Sequence, residues 1–407
     1  MKKFSTLIIC LLCLQCILFA QLDGSQMPQQ TAMAIPVSPA YQMLNASSSL
    51  IATPGVIRDP KVDWSFLSAN LTPNIAIEAQ PVWAFIYNKP TIDRYQNAGG
   101  FLRTLSTLSI SAGSLDFNDS IRWFSYAGKI TLYRSFDPLL SKGGFKDLNN
   151  EFTNQKALLD STHNILRKQL EVARSREQID SLERLVFANL DAIDNLISFQ
   201  KQRIHQREVE LKAMYWNATN IDVAAGNSSS FNHLLSDRID KIGITHRSIA
   251  YWINGGFGIG RRWLITAQAR EESISVPIID SGLIVVQNPS PSHDSLVTHS
   301  HNETKNILSY GLNIRYGSPT FNFFVELFIT QSETASFDNS NWTENSSYGE
   351  GGQQKSSNID EQSLVAFGGE WKINSTIILN FGIRNVVDQK MQLRSVTPIA
   401  SISCIMR

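Results

Sequence analysis

ILSYGLNIRYGSPTFNFFVELFIT, residues 307–330, alternates apolar and polar side chains on both sides of a Gly-Ser-Pro turn. In 307–316, Leu308, Tyr310, Leu312, Ile314 and Tyr316 share one face and Ser309, Asn313 and Arg315 the other. In 321–330, Phe321, Phe323, Val325, Leu327 and Ile329 oppose Asn322, Glu326 and Thr330. A period of two over this length specifies β-strand, and the short turn specifies a hairpin.

The same pattern recurs at 75–87, 248–259 and 376–384, and in weaker form at 102–113, 122–134, 263–272, 363–372 and 392–405. That predicts about ten strands of roughly 10–14 residues, against a mode of about 5–6 in soluble sheets. Residues 274–287 could add a hairpin and bring the number to twelve. No later stretch holds about 18 continuous apolar residues, so helices do not supply the spans. Only closed barrels and helices satisfy every backbone group in lipid. The expectation is an all-β transmembrane antiparallel barrel.

Residues 145–225 contain neither Gly nor Pro, and 145–215 carry 11 basic and 11 acidic residues. Apolar residues recur there at threes and fours, from Leu148, Phe152 and Leu159 to Leu190, Ile193 and Ile197. This is an amphipathic helix pattern, and a hairpin of two helices buries both stripes. An oligomeric coiled coil is the alternative.

Around these zones the chain divides into a signal peptide (1–20), an N-terminal periplasmic or plug segment (21–72), barrel strands 1–3 (73–135), the helical insertion (136–245) and the remaining strands (246–407). Lys2 and Lys3 precede an apolar run ending at Ala20, which fits secretion and cleavage near Ala20. Cys10, Cys13 and Cys16 leave with that signal, and Cys404 alone has no intramolecular partner. In 21–72, Ser38-Pro39 and Asp59-Pro60 suggest two short helices, 39–45 and 60–70.

VSPAYQML (37–44), LIATPG (50–55) and IAIEAQPVW (75–83) resemble a group of outer-membrane β-barrel proteins of unknown function from Bacteroidota. GGFGIGRRWLITAQARE (255–271) and GGEWKINSTIILNFGIRN (368–385) are similar to generic hairpins of that class. The resemblance implies a fold and a location, the Gram-negative outer membrane, and no reaction. Met406 and Arg407 depart from the terminal aromatic common in such barrels.

Lys+Arg and Asp+Glu are equal at 36 each, so no global field favours nucleic acid. Gly256, Gly258 and Gly260 lie in an alternating strand and lack the context of a phosphate loop. His293, Asp294, His299, His301 and Glu303 crowd one outer loop, where solvation is favoured over a metal site. His246 and Ser248 share a strand parity without an identifiable third group. The expectation is therefore no catalysis, no cofactor and no metal.

Parity sends Glu78, Arg103, Lys129, Arg270, Arg315, Glu326, Glu370, Lys372 and Arg384 into the lumen as a charge network. Trp83, Tyr87, Tyr133, Trp263, Trp342 and Trp371 could supply interfacial girdles. Expected partners are the lipid bilayer, the barrel-assembly machinery, and an unknown protein or surface ligand bound through the helical insertion. Short connections (116–120, 260–262, 317–319, 373–375) alternate with long ones (88–100, 136–246, 275–304, 334–361). That places the insertion among the surface loops, with both termini periplasmic. The leading expectation is an outer-membrane barrel that displays a partner-binding helical insertion. A small channel with an N-terminal plug, and a soluble secreted adhesin with β-sandwich and coiled coil, are the alternatives.

Overall fold

The computed structural model describes residues 35–66, 74–87, 92–118, 121–232, 244–286, 293–337, 355–374, 376–387 and 392–406. Twelve antiparallel strands close into one barrel: β1 (Lys61–Phe66), β2 (Asn74–Ala79), β3 (Ser109–Asn118), β4 (Ile121–Arg134), β5 (Asn220–Asn232), β6 (Ile244–Ile259), β7 (Trp263–Val286), β8 (His293–Gly317), β9 (Phe321–Phe337), β10 (Lys355–Lys372), β11 (Ile377–Val387) and β12 (Leu393–Ile405). Each strand pairs with its sequence neighbour, and β1 closes on β12, Lys61 opposite Ile405. No edge is left to pair with another chain.

The alternation works as the sequence indicates. Leu308, Tyr310, Leu312, Ile314 and Tyr316 are exposed on the outer wall, and Ser309, Asn313 and Arg315 are buried inside. Phe323, Val325 and Leu327 face out, and Asn322 and Glu326 face in. An apolar outer surface around a polar interior is what lipid selects. Trp263 packs on Tyr316 with ring centroids 4.7 Å apart, and Trp371 lies opposite Phe321 in the ladder, forming an aromatic rim at one end of the wall.

Several expectations are corrected. Residues 60–70 do not start a helix: Lys61–Phe66 is β1, with Lys61, Asp63 and Ser65 turned inward. Strand β2 ends at Ala79, and Trp83–Tyr87 form a π-helical turn instead of continuing the strand. Residues 102–113 hold no single strand, because a helix (Gly100–Leu105) precedes β3. The extra residues near 274–287 lengthen β7 rather than adding a hairpin, and His293–Glu303 belong to β8, paired with β7, rather than to a loop. The strands that complete twelve are β1 and β5.

Among the described residues five α-helices accompany the barrel: α1 (Pro39–Met43), α2 (Ile92–Gln96), α3 (Gly100–Leu105), α4 (Phe145–Val172) and α5 (Arg176–Tyr215). The last two form the expected helical hairpin, α4 against α5. The Ser175 hydroxyl caps α5 by accepting from the Gln178 N–H at 3.3 Å.

β5 also decides the topology. Because it crosses the wall between the hairpin and β6, the hairpin shares a barrel end with the turns at 260–262, 318–320 and 373–376. Both the start of β1 and the end of β12 lie at that end, where the Met406 N–H donates to the Pro60 carbonyl. The insertion therefore does not belong with the connections at the opposite end, contrary to the expected alternation.

Candidate functional site

Residues 35–58 run into the lumen and back out at the hairpin end, and nearly all of them are buried. Ser38 starts the single turn of α1, with Pro39 pre-set for helix at its first position. Asn45 follows the helix with a φ of 53°, a left-handed value that Asn tolerates. The chain reverses there, meets β9 at Ser49–Ile51, and crosses back to β4, β5 and β6 at Pro54 and Gly55.

Side chains from around the barrel hold the backbone of this plug. Arg270 (β7) donates to the carbonyls of Gln42 and Met43, at 2.9 and 3.3 Å, and to Asn45 Oδ1. Arg384 (β11) donates to the Asn45 carbonyl at 2.9 Å. Lys129 (β4) donates to the Gly55 carbonyl at 3.0 Å. The Trp252 indole (β6) donates to Gln42 Oε1 at 3.1 Å. The cations thus donate to backbone carbonyl oxygens, as a plug with few acids of its own requires.

Glu326 (β9), fully buried, is the acceptor counterpart. Its carboxylate takes the Leu50 N–H at 2.8 Å, the Ile51 N–H at 3.2 Å, the Ser49 hydroxyl and Asn313 Nδ2 at 2.9 Å. Four donors on one carboxylate fix both its rotamer and the plug strand. Phe328 and Ile51 pack beside it.

Near the hairpin end, Lys61 lies 2.9 Å from Asp63 Oδ2 and 3.2 Å from Glu78 Oε2, and it also donates to the Pro36 carbonyl. Asp63 accepts the Ser38 N–H at 2.9 Å. All three charges are buried, so each must be paired to be tolerated. Gly256 admits Pro54 against β6: a β-carbon there would lie 2.5 Å from the proline ring.

Of the expected lumen charges, Glu78, Lys129, Arg270, Arg315, Glu326 and Arg384 are buried inside the barrel. Arg315 approaches Glu370 at 3.4 Å, and both line one small cavity with Lys372. Arg103 is the correction. It lies on α3, outside the strands, and donates to the Gln96 carbonyl. Parity missed Lys61, Asp63 and Asp222, because β1 and β5 were not recognised as strands. Asp222 accepts the Gly55 N–H at 3.3 Å.

The plug leaves through a second cluster at the root of the hairpin. The Arg58 guanidinium sits 3.9 Å from the Trp83 ring centroid and 4.7 Å from that of Tyr95, and 3.8 Å from Asp137 Oδ1. Burial pushes Arg58 down from its usual range, and Asp137 opposes this. Tyr95 donates to Asp137 Oδ2 at 2.7 Å, and burial pushes its phenol up. Trp83, Tyr87 and Tyr95 pack with Leu139, Phe145 and Leu211, and Phe136 stacks on Tyr215 at 3.7 Å. Trp83 and Tyr87 are therefore hairpin-root residues and not girdle aromatics; Trp342 lies outside the described residues.

The root is bolted to a tight turn. Asn217 Nδ2 donates to the carbonyls of Gly260 and Trp263, at 3.1 and 2.7 Å, and the Trp216 indole donates to that of Arg261 at 2.9 Å. Gly258 permits this approach, since a β-carbon would lie 2.0 Å from the Asn217 carbonyl oxygen. Gly256 and Gly258 thus both admit close packing on the inner face of β6.

At the far end, His246 Nδ1 lies 3.0 Å from Ser230 Oγ, whereas Ser248 bonds Ser228 at 2.8 Å. No group of three or more potential metal ligands occurs among the described residues.

No family model and no curated protein matches this chain. Solved structures do. A ferric enterobactin receptor of Pseudomonas aeruginosa shares 9% identity over 84% of this chain and 41% of its own, with a TM-score of 0.29. The siderophore receptor PirA of Acinetobacter baumannii shares 8% over 87% and 42%, at 0.30. The β domain of a Bordetella autotransporter shares 7% over 85% and 98%, at 0.28. The chain spans about two fifths of the length of the siderophore receptors it matches.

Proposed function

We propose that this protein is an outer-membrane barrel, closed by its own N-terminal loop, that carries a non-catalytic helical docking arm on its periplasmic side. The bond set from Trp216 and Asn217 to the 260–263 turn carries the reading. It fixes the hairpin to the end that holds both strand termini and three of the four shortest connections (260–262, 318–320 and 373–376, with β3–β4 at the other end), and outer-membrane barrels place their short turns in the periplasm. The apolar outer wall supports residence in lipid. The plug's bonds to most strands support an anchor over an open pore. A cell-surface display of the hairpin, expected from the sequence, is therefore replaced by its opposite. Delivery through the barrel-assembly machinery follows from the same location.

Cysteine labelling tests this. Asp180→Cys near the hairpin tip should react with a membrane-impermeant maleimide only after permeabilisation. A cysteine introduced after Val286, at the other end, should react on intact cells. Reaction at 180 on intact cells would invert the assignment.

A further inference from the structure

The hairpin has a face that the barrel and its own seam leave unused. The seam runs through Phe152, Leu159 and Leu166 of α4 and Leu182, Asn189 and Leu196 of α5, and Gln200 Nε2 donates across it to the Leu148 carbonyl at 3.2 Å. On α5 a second stripe lies three residues beyond each seam position, about 60° back around the helix; on α4 it lies six residues beyond, about 120° back in the same sense. In two antiparallel helices, rotation in the same sense about each axis carries both stripes to one side of the pair.

Contacts fix that side. Glu151 and Arg203, one from each helix, form an ion pair of 2.9 Å across it, and the Arg203 guanidinium reaches to 5.7 Å from the Phe199 ring. Near the tip, Gln169 and Val172 line the same groove as Gln178 and Ser181. Between these markers the face presents Leu158, Ile165 and Val172 from α4, and Leu185, Ala192 and Phe199 from α5. The five larger ones are at least half exposed. The positions between them, Gln155, Thr162 and Gln169 on α4 and Ala188 and Asn195 on α5, carry no charge. Asp160, Arg167, Lys168, Glu183 and Arg184 fall elsewhere around the helices.

We infer that this face binds the same face of a second copy, making an antiparallel four-helix bundle from two hairpins. This rests on the reading of the chain as a membrane-anchored barrel with a projecting arm. Two copies in one bilayer share an orientation, so the two-fold axis lies along the membrane normal. That axis seats α4 of one copy on α5 of the other, antiparallel, as in the hairpin's own seam. It also preserves depth. Residue numbers at equal depth sum to about 348, as for Leu148 and Gln200. Ile165 of one copy then meets Leu185 of the other, and Leu158 meets Ala192, a large side chain against a small one. An uncharged face offers nothing to a charged partner and repels nothing in its own copy. The face is roughly 26 Å long and about two helix diameters, or 20 Å, wide. That is modest beside the roughly 800 Å² per partner of a standard interface. Confinement to one bilayer raises effective concentration and offsets the difference.

The test is co-purification of the full chain carrying two different tags from outer membranes of co-expressing cells, with heat-modifiable mobility as the folding control. Wild-type copies should co-purify. Ile165→Glu with Ile165→Glu, and Leu185→Lys with Leu185→Lys, should each lose at least tenfold. Ile165→Glu with Leu185→Lys should recover, because one contact becomes an ion pair and the other is wild type. Folded wild-type copies that fail to co-purify, even after crosslinking in the membrane, would overturn the inference. So would undiminished pairing of Ile165→Glu copies, or stoichiometric capture of a different protein on this face in place of a second copy. Labelling at residue 180 on intact cells would overturn the periplasmic reading alone, since the two-fold pairing holds on either side of the membrane.

Discussion

Glu326 shows how one side chain can specify a whole segment. A lone buried carboxylate is costly, and this one is tolerated because the plug delivers two backbone N–H groups and a hydroxyl to it while Asn313 supplies a fourth donor. Glu326→Ala strands those donors, at about 1–3 kcal/mol for each group left buried and unpaired. A total loss of about 3 kcal/mol is expected after partial relaxation, read as a lower urea midpoint of the barrel in lipid. Glu326→Gln keeps the shape and one acceptor, so its loss should be smaller. Equal midpoints for both variants and wild type would mean that the plug is not held there. An inward-facing position on an open lumen would tolerate substitution. The plug removes that freedom: Asn313 is fully buried and bonds Ser49 and Glu326. Arg58 gives a second case. Its planar cation lies over two rings, a fit that lysine cannot reproduce, so Arg58→Lys should cost about 1–2 kcal/mol in the same assay.

At the scale of elements, legibility followed length and contrast. Strands β8 and β9 were readable because bulky apolar groups alternate with amides and charges over many residues. Strand β1 was obscured by being six residues long behind a proline, even though Lys61, Asp63 and Ser65 alternate with Val62, Trp64 and Phe66. Strand β5, NIDVAAGNSSSFN, turns Ile221, Val223 and Phe231 outward, but its middle, Ala224–Ser230, is small or polar on both faces and lacks contrast. Its small inward residues make room for the plug, Met43 packing with Ala224 and against Gly226. Strand contrast was therefore erased by the packing that the plug requires. Missing that one element reversed the side assigned to the hairpin. On the outer wall the alternation makes a sharp prediction: Leu312→Arg near mid-wall should cost about 2–4 kcal/mol in a bilayer folding assay. Tolerance within a few tenths would argue against lipid contact at that face. The hairpin divides likewise into a root and a shaft. Phe145, Leu148 and Leu211 belong to the root cluster, whereas among the described residues neither α4 nor α5 makes more than sparse contact with any strand. Replacing residues 155–197 with a short turn should leave heat-modifiable mobility intact, and loss of the folded form would show that the shaft supports the barrel.

For the whole molecule, the question is whether the wall encloses a path. Inward-facing charges fit either a pairing network or an anion-favouring pore, and sequence does not decide between them because the plug's contacts are mostly to backbone, which carries no side-chain signature. Arg270, Arg384 and Lys129 spend their charge on the plug carbonyls of Gln42, Met43, Asn45 and Gly55. Glu326 accepts the plug N–H groups on a different strand, so release would require breaking bonds around the barrel together. Such a plug should stay in place on the timescale of a conductance record. Wild-type protein in planar bilayers should therefore show no steps. Removing residues 35–57, while keeping Arg58 and β1, should open steady conductance, with anions favoured by the freed Arg270, Arg315 and Arg384. Arg270→Ala combined with Arg384→Ala in the full chain should give intermittent openings, since the reversal at Asn45 loses both clamps at once. Steady conductance in the intact wild type would show that the segment leaves the lumen spontaneously, and would make the protein a channel instead of an anchor. Silence after the deletion, in barrels whose heat-modifiable mobility is preserved, would show that inward side chains alone close the lumen and that the plug serves the hairpin root through Arg58.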